Sequence, residues 1–156
     1  MAHVYRATVA WRRDEGDFPK GRYSRRHVWR FDGGIEVPAS ASPLVVPRPY
    51  SAEDAVDPEE AFVAALSSCH MLTFLDLARR AGFTVDTYED DAEGLMVKNE
   101  SGRSWISSVA LRPRITWAGG KEPSVEELRR LHEQAHDLCF ISNSVKTTVT
   151  VEPPPG

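Results

Sequence analysis

The chain has 156 residues, a formal net charge of −4 and a pI of about 5.7. That length suits one domain better than two, and the acidic balance argues against nucleic acid as the main partner, because domains that bind phosphate backbones are normally basic. No apolar run approaches the roughly 18 residues that span a bilayer, and the N-terminus has no apolar signal segment. We therefore expect a cytoplasmic protein that contacts no membrane.

The first part of the chain predicts a β-hairpin or a small meander. Residues 2–11 alternate in side-chain character with a period of two, which is typical of a strand. A polar loop over 12–21 precedes a second, aromatic-rich strand at 23–31. The turn residues at 32–34 then introduce a third strand at 35–37.

A proline-rich segment at 38–57 follows this hairpin. The sequences on either side are too short for two separate domains, so we interpret the segment as a long ordered loop within one domain over 1–156. The three prolines that begin at Pro153 end the structure and leave residues 153–156 as a tail.

A long central helix is the strongest local prediction. Asp57 caps it, Pro58 suits its first position, and Glu60 completes a capping box with Asp57. Residues 61–75 are mostly apolar on every side, which predicts a helix buried on all sides. Gly82 is a natural end point.

The second half of the chain combines strands with a second helix. Strands are expected over 83–87, 95–97, 106–117 and 145–151. Within the third of these, Pro113 indicates an edge or a bulge. Ser124 and Glu127 form a second capping box, which opens an amphipathic helix. The order of elements predicts an α+β domain with a mostly antiparallel sheet.

Two cysteines are the main candidates for chemistry. Cys69 lies in the middle of the central helix and Cys139 at the end of the second, 70 residues apart and without a CxxC motif, so the sequence alone does not pair them. Both fit a simple role as small core residues. Against that role, the polar cluster at 67–70 interrupts an apolar helix, and Cys139 follows the stripe residue Ala135 by four positions and so points inward.

A zinc site is an alternative for the same region. His132, His136 and Cys139 share one helical face, and either Cys69 or His70 would complete a tetrahedral set. The competing interpretation places the two histidines on the polar border of an amphipathic helix. Structural zinc sites usually take closely spaced ligand pairs from two segments, so we expect no metal.

A basic and aromatic segment at 20–30 has two possible roles. On a strand its charges divide between two faces, and the acidic remainder of the chain provides no electrostatic funnel for nucleic acid. A solvated strand face is the simpler interpretation. An arginine of this segment also fits the role of the cation that a buried thiolate needs.

Two motifs resemble the OsmC/Ohr family of organic-hydroperoxide peroxidases, and the resemblance covers most of the chain. The first is DPEEAFVAALSSC at 57–69, and the second is HDLCFISNS at 136–144. The resemblance implies an OsmC-like fold, with the mostly antiparallel sheet wrapped around a long buried central helix and the second helix, and an intertwined homodimer. It also implies that Cys69 is the attacking thiol, that Cys139 resolves it, and that no cofactor is needed.

The resemblance further implies a charged shell around the thiols. The family's glutamate lies ten residues before the first cysteine, a position that Glu59 holds, and its arginine comes from the N-terminal hairpin. Spacing favours Arg25, with Arg22 and Arg26 as alternatives. Glu59 and Cys69 are separated by about 15 Å along one straight helix. We therefore expect an active site formed across the dimer, in which one chain supplies the thiols and the other part of the charged shell.

The implied activity is the reduction of an alkyl hydroperoxide by two cysteines. A Cys69 sulfenic acid condenses with Cys139 to a disulfide, and an external dithiol, of the lipoyl type in the family, resets the pair by exchange. The competing hypothesis is a non-catalytic module of the same fold that binds a hydrophobic ligand, or a metal at the Cys/His cluster. The sequence assigns no role to His70 beyond packing.

Overall fold

Three antiparallel strands begin the fold within residues 1–152, which the computed structural model describes. They are β1 (Ala7–Ala10), β2 (His27–Phe31) and β3 (Glu36–Ala39). They belong to the first of two compact units, Met1–Ala61 and Phe62–Gly156. The predicted tail at 153–156 lies outside the described residues, and the single domain over 1–156 stays a prediction.

The proline-rich loop is held by its own hydrogen bonds. The backbone N–H of Ser40 donates to Val56 O at 3.0 Å, and the N–H of Val56 donates to Pro38 O at 3.0 Å. The hydroxyl of the fully buried Ser40 also accepts the N–H of Ala52 at 3.1 Å. Pairing its backbone groups in this way lets a loop be partly buried without a desolvation cost.

The long helix α1 (Pro58–Arg80) begins and ends as the sequence predicts. Asp57 Oδ1 accepts the N–H of Glu60 at 2.8 Å, and Glu60 Oε2 accepts the N–H of Asp57 at 3.3 Å, so the capping box is complete. At the other end Gly82 adopts φ +84°, the left-handed conformation that closes a helix at little cost for glycine.

Burial of α1 differs from the prediction. In the single chain the fully buried positions follow one face at four-residue spacing, namely Leu66, His70, Phe74 and Ala78. Leu72, on another face, is 61% exposed. The apolar composition predicts burial on all sides, whereas the contacts of one chain cover one side.

The length and mean hydropathy of α1, 1.5 over its most apolar window, would also suffice to cross a membrane. The sequence has no uninterrupted apolar run of that length, but alanine and cysteine between the large apolar residues raise the average hydropathy of α1 enough to pass this test. The core helix of a globular domain passes the same test, and α1 carries a fully buried histidine, His70, which is costly in lipid.

The second unit contains two further sheets and the helix α2. Its elements are β4 (Thr84–Asp90), β5 (Glu93–Lys98), β6 (Ser104–Leu111), β7 (Pro113–Ala118), α2 (Val125–Leu138) and β8 (Thr148–Val151). β4 pairs antiparallel with β7, and the other sheet has the order β5-β6-β8, with β8 parallel to β6. The predicted α+β class with mostly antiparallel pairing is confirmed.

One predicted strand is two strands. The continuous strand expected over 106–117 is interrupted at Arg112, where the chain leaves β6 and enters β7 of the other sheet. The N–H of Arg112 donates to Asp90 Oδ1 at 2.6 Å, outside any ladder, and Pro113 has no N–H to donate. The alternation of side chains continues across the break, which is why the pattern conceals it.

Two apolar clusters form the core of the second unit. The first joins the later half of α1 to α2 and consists of Phe74, Ala78, Phe83, Leu131 and Ala135. The second joins α1 to the β5-β6-β8 sheet and consists of Leu66, Val109, Leu111 and Val149. α1 contributes Leu66 to the second cluster and Phe74 to the first. Cys69 lies between these two positions, so the helix is anchored both before and after this cysteine.

Candidate active site

The two cysteines, which the sequence leaves unpaired, meet in the second unit. The side chains of Cys69 and Cys139 lie close enough for each to shift the pKa of the other, and both are free thiols in this structure. Cys69 projects from the middle of α1 and is half-buried, whereas Cys139 ends α2 and is fully buried. The pair therefore has one accessible sulfur and one that the protein covers.

A tight turn after α2 holds Cys139 in place. The N–H of Asn143 donates to Cys139 O at 3.0 Å, and the Asn143 amide caps the helix by donating to Asp137 O at 2.8 Å. The N–H of Ser142 points at Cys139 Sγ, 3.5 Å away. The hydroxyl of Ser144 closes the turn on Phe140 O at 2.7 Å. The sequence shows this turn only through the FISNS motif of the family resemblance.

The surroundings act in opposite directions on the two thiols. Burial raises the pKa of Cys69 above its ordinary value, and the Cys139 side chain adds to the rise, against the backbone N–H of Ile141. Burial also acts on Cys139, but the backbone N–H and the hydroxyl of Ser142 outweigh it and lower the pKa of that thiol. Within this unit Cys139 is therefore the thiol that ionises more readily.

A buried histidine pair lies beside the thiols. His70 Nε2 and His132 Nδ1 are 3.0 Å apart, and the His132 ring stacks on Phe74 with centroids 4.4 Å apart. Burial lowers the pKa of His70 to about 4, with His136 adding to the decrease. Burial likewise lowers the pKa of His132 to about 4. Both rings are therefore neutral at pH 7, and the pair joins α1 to α2 by a neutral hydrogen bond.

Asp90, at the end of β4, links three elements around this pair. Its Oδ2 accepts the hydroxyl of Ser67 on α1 at 2.5 Å, and its Oδ1 accepts the N–H of Arg112 at 2.6 Å. The strand predicted over 83–87 ends before this position, so no role for Asp90 is predicted from the sequence. The contact with Ser67 explains one of the polar residues that interrupt the apolar helix.

The sequence profile of the family described as OsmC-like protein matches residues 51–153, about two thirds of the chain. That range contains both thiols and the turn that follows α2. The chain belongs to the OsmC-like family. No curated protein matches its sequence significantly.

Solved structures share the fold of this OsmC-like chain. An OsmC-like protein of unknown function from Vibrio cholerae is 47% identical over 97% of this chain and 99% of that one, with a TM-score of 0.94. An organic hydroperoxide resistance protein from Elizabethkingia anophelis is 20% identical, with coverages of 99% and 96% and a TM-score of 0.71. The organic hydroperoxide resistance protein OhrB of Bacillus subtilis is 20% identical, with coverages of 96% and 97% and a TM-score of 0.65. At 20% identity the last two show the fold alone.

The favoured arginine of this OsmC-like chain, Arg25, lies in the first unit, where its guanidinium group has local contacts. Its Nη1 donates to Gly21 O at 2.8 Å and to Tyr23 O at 2.6 Å, and its Cζ lies 3.6 Å from the centroid of the Tyr23 ring. Arg26 instead forms an exposed ion pair with Asp54 at 2.5 Å. Of these two side chains, Arg25 is the one that its hairpin holds in a fixed position.

The other charged candidates also belong to the first unit. Arg22 is exposed, and Glu59 is half-buried in the first turn of α1. Glu59 and Cys69 lie on one continuous helix, so the axial rise keeps them about 15 Å apart. The action of Glu59, or of any of the three arginines, on the thiol pair stays a prediction.

The zinc alternative depends on how its candidate ligands are arranged. Within residues 1–152, no group of three or more His, Cys, Asp or Glu side chains is arranged to hold a metal ion. His132, which the helical spacing offers as a ligand, turns toward His70 and Phe74 instead. Cys139 turns toward the other thiol.

Proposed function

We propose that this OsmC-like protein is a thiol-dependent peroxidase that reduces organic hydroperoxides to alcohols. The observation that carries the proposal is the contact between Cys69 and Cys139, one half-exposed and the other buried. An accessible thiol can meet a peroxide, and a covered neighbour in contact with it can trap the product. The fold shared with two organic hydroperoxide resistance proteins supports the same class of reaction.

The reaction proceeds in three steps. The Cys69 thiolate attacks one peroxide oxygen and breaks the O–O bond; the alkoxide takes a proton and leaves as the alcohol, and Cys69 becomes a sulfenic acid. The Cys139 thiolate then attacks the Cys69 sulfur and displaces hydroxide, which leaves as water after protonation. A dithiol reductant, such as a lipoylated protein, returns two electrons to the disulfide.

The first step needs a cation near Cys69, because burial raises the pKa of that thiol. We assign this role to Arg25, which would hold the thiolate and donate hydrogen bonds to the peroxide, and we assign Glu59 the role of orienting the guanidinium. The axial distance between Glu59 and Cys69 favours a homodimer in which one chain supplies the thiols and the other part of this shell. The exposed apolar side of α1 supports the dimer, because such a surface favours a protein partner.

The deciding experiment counts thiols. One equivalent of cumene hydroperoxide is added to the reduced protein, and free thiols are measured within seconds. We expect both thiols to disappear in the native chain and Cys69→Ser to keep its single thiol. Survival of both thiols in excess peroxide would refute the peroxidase.

We further propose a cytoplasmic location, where reductants keep such thiols reduced between turnovers.

A second candidate function is a non-catalytic module that binds a hydrophobic ligand. An open cavity of about 390 Å³ in the second unit favours it, with a mainly apolar lining of Phe62, Trp105, Ile106, Ser144, Val145, Lys146 and Thr147. This hypothesis predicts binding of an alkyl ligand by a protein whose thiols do not react with peroxide. Titration with a fatty alcohol, followed by tryptophan fluorescence in parallel with the thiol count, distinguishes the two.

A further inference from the structure

The two sulfurs of the candidate site differ in access. Cys139 has no exposed surface in the chain, whereas Cys69 is half-buried and faces outward in part. A disulfide is reduced by a thiolate that approaches one of its two sulfurs, and access helps to decide which sulfur is attacked. A reductant as large as a dithiol carried on a protein can therefore reach Cys69 Sγ and not Cys139 Sγ.

The sulfurs also differ as leaving groups. The N–H of Ser142 lies 3.5 Å from Cys139 Sγ. The hydroxyl of Ser142 is buried and, among the described residues, has no hydrogen-bond partner of ordinary geometry. It lies close enough to Cys139 Sγ to lower the pKa of that thiol together with the N–H. The thiol of lower pKa leaves faster in exchange, so both differences point in the same direction.

From these contacts we infer that reduction of the disulfide is directional: the incoming thiolate bonds to Cys69, and Cys139 leaves as a thiolate held by Ser142. The inference rests on the proposed function for its biological setting. In the first exchange the S–S bond between Cys69 and Cys139 breaks, a mixed disulfide forms between the reductant and Cys69, and Cys139 takes the electron pair. The second thiolate of the dithiol then attacks its own mixed-disulfide sulfur, releases the Cys69 thiolate and becomes a cyclic disulfide. Ser142 acts here as a positioning residue.

Trapping of the mixed disulfide tests the direction. The disulfide is formed with diamide, which needs no peroxidase activity, and is exposed briefly to glutathione, a monothiol that cannot complete the second exchange. Acid quenching, alkylation with N-ethylmaleimide and peptide mass mapping then locate the adduct. We expect glutathione on Cys69 and maleimide on Cys139, in at least about tenfold excess over the reverse. An adduct on Cys139, equal amounts on both, or failure of diamide to form the intramolecular disulfide would overturn the inference.

Variants of the turn test the role of Ser142. Ser142→Ala removes the hydroxyl that helps to lower the pKa of Cys139 and keeps the N–H that points at Cys139 Sγ. The excess of adduct on Cys69 should therefore fall severalfold, and Cys139 should need a higher pH for alkylation by iodoacetamide. Ser142→Thr keeps a hydroxyl and should restore both. Ser144→Ala is the matched control, because it removes a hydroxyl of the same turn that bonds Phe140 O and no sulfur. If Ser142→Ala changes neither the ratio of glutathione adduct on Cys69 to that on Cys139 nor the pKa of Cys139, Ser142 has a structural role only.

The outcomes separate this inference from the proposed function. If peroxide leaves both thiols intact while the diamide disulfide opens at Cys69, the peroxidase is refuted and the directional exchange stands. If peroxide oxidises both thiols while the adduct falls on Cys139, the peroxidase stands and the direction is refuted.

Discussion

Cys139 ends α2 with no exposed surface, and Cys69, the one other cysteine in the sequence, lies close enough to act on its pKa. Its loss should therefore stop the cycle after the first step. In Cys139→Ser we expect one equivalent of peroxide to be consumed and the sulfenic acid on Cys69 to accumulate, where dimedone labels it. Turnover with a dithiol should fall at least about tenfold, because the disulfide that the dithiol reduces cannot form.

Mass spectrometry of the dimedone adduct provides the measurement, and Cys69→Ser, which should bind no dimedone, provides the control. A Cys139→Ser protein that turns over at the native rate would show that Cys139 takes no part in the cycle.

At the scale of single residues, substitutions of Arg25 and Arg26 form a matched pair of variants. Arg25 is held by two carbonyls and the Tyr23 ring, whereas Arg26 forms an exposed ion pair, a class of contact worth about 0–1 kcal/mol. If Arg25 supplies the cation, Arg25→Ala should slow peroxide reduction at least about tenfold and shift its pH profile upward, because charge-assisted hydrogen bonds to the thiolate are lost.

Stopped-flow rates against pH would measure this, with Arg25→Lys recovering part of the loss. The assignment fails if Arg26→Ala or Arg22→Ala slows the reaction while Arg25→Ala does not.

At the scale of elements, the hydrogen bond between His70 and His132 makes the contact of α1 with α2 sensitive to acid. The pKa of each ring is about 4 in the folded chain, below the ordinary 6.5, so folding favours the neutral rings. The contribution of the neutral rings to the free energy of unfolding is complete above pH 6.5. It decreases by roughly 3 kcal/mol for one ring as the pH falls toward 4. Asp90 opposes the loss at His70, and His136 adds to it.

Urea unfolding between pH 7.5 and 4.5 would measure this slope. The double variant His70→Leu with His132→Leu should flatten it, and His3→Ala, at an exposed histidine, should leave it unchanged. An equal slope in the double variant would mean that other groups dominate acid unfolding.

The approach of β5 to α1 depends on a glycine. A Cβ atom at Gly94 would lie 2.7 Å from Cγ2 of Val63, closer than two carbon atoms can approach. Gly94→Ala should therefore lower the free energy of unfolding by about 1–3 kcal/mol, the usual cost of overpacking. Val63→Ala makes room for the added methyl group, so thermal unfolding of the double variant should show a smaller loss than the sum of the two single changes; strict additivity would contradict the contact.

Helices and strands could be predicted from the sequence where capping residues and side-chain periodicity indicate the same element. Both capping boxes form as expected, and the strands occur where side chains alternate, though several are shorter. Pro113 indicates an edge or a bulge, but the break at Arg112 could not be predicted, because alternation continues across it and the N–H of Arg112 bonds to Asp90, 22 residues earlier. The contact between the two thiols, 70 residues apart in the sequence, depends on long-range packing, for which local patterns hold no information.

At the scale of the whole molecule, α1 has more apolar surface than one chain covers. Leu72 is 61% exposed in the middle of the helix. We expect the native protein to sediment as a dimer and Leu72→Glu to shift it toward the monomer, because a buried unpaired carboxylate opposes association. Val125→Glu is the matched control, since Val125 is an 89% exposed apolar residue at the start of α2.

Analytical ultracentrifugation over a range of concentrations would decide. A native protein that stays monomeric, and that is fully active as a peroxidase, would refute the shared active site.

The parallel pairing of β8 with β6 has a consequence for how the protein must be handled. Ser108 pairs with Thr148, 40 residues later, and the β7–α2 segment forms the connection between the two strands. Long-range pairing of this kind forms slowly during refolding. Until the β6–β8 pairing forms, Cys69 and Cys139 are separate reactive thiols on an incompletely folded chain. Air oxidation at that stage links different molecules instead of joining the native pair. Refolding under reductant, with oxidation only after the sheet has formed, should therefore give monodisperse protein, whereas the reverse order should give disulfide-linked aggregates.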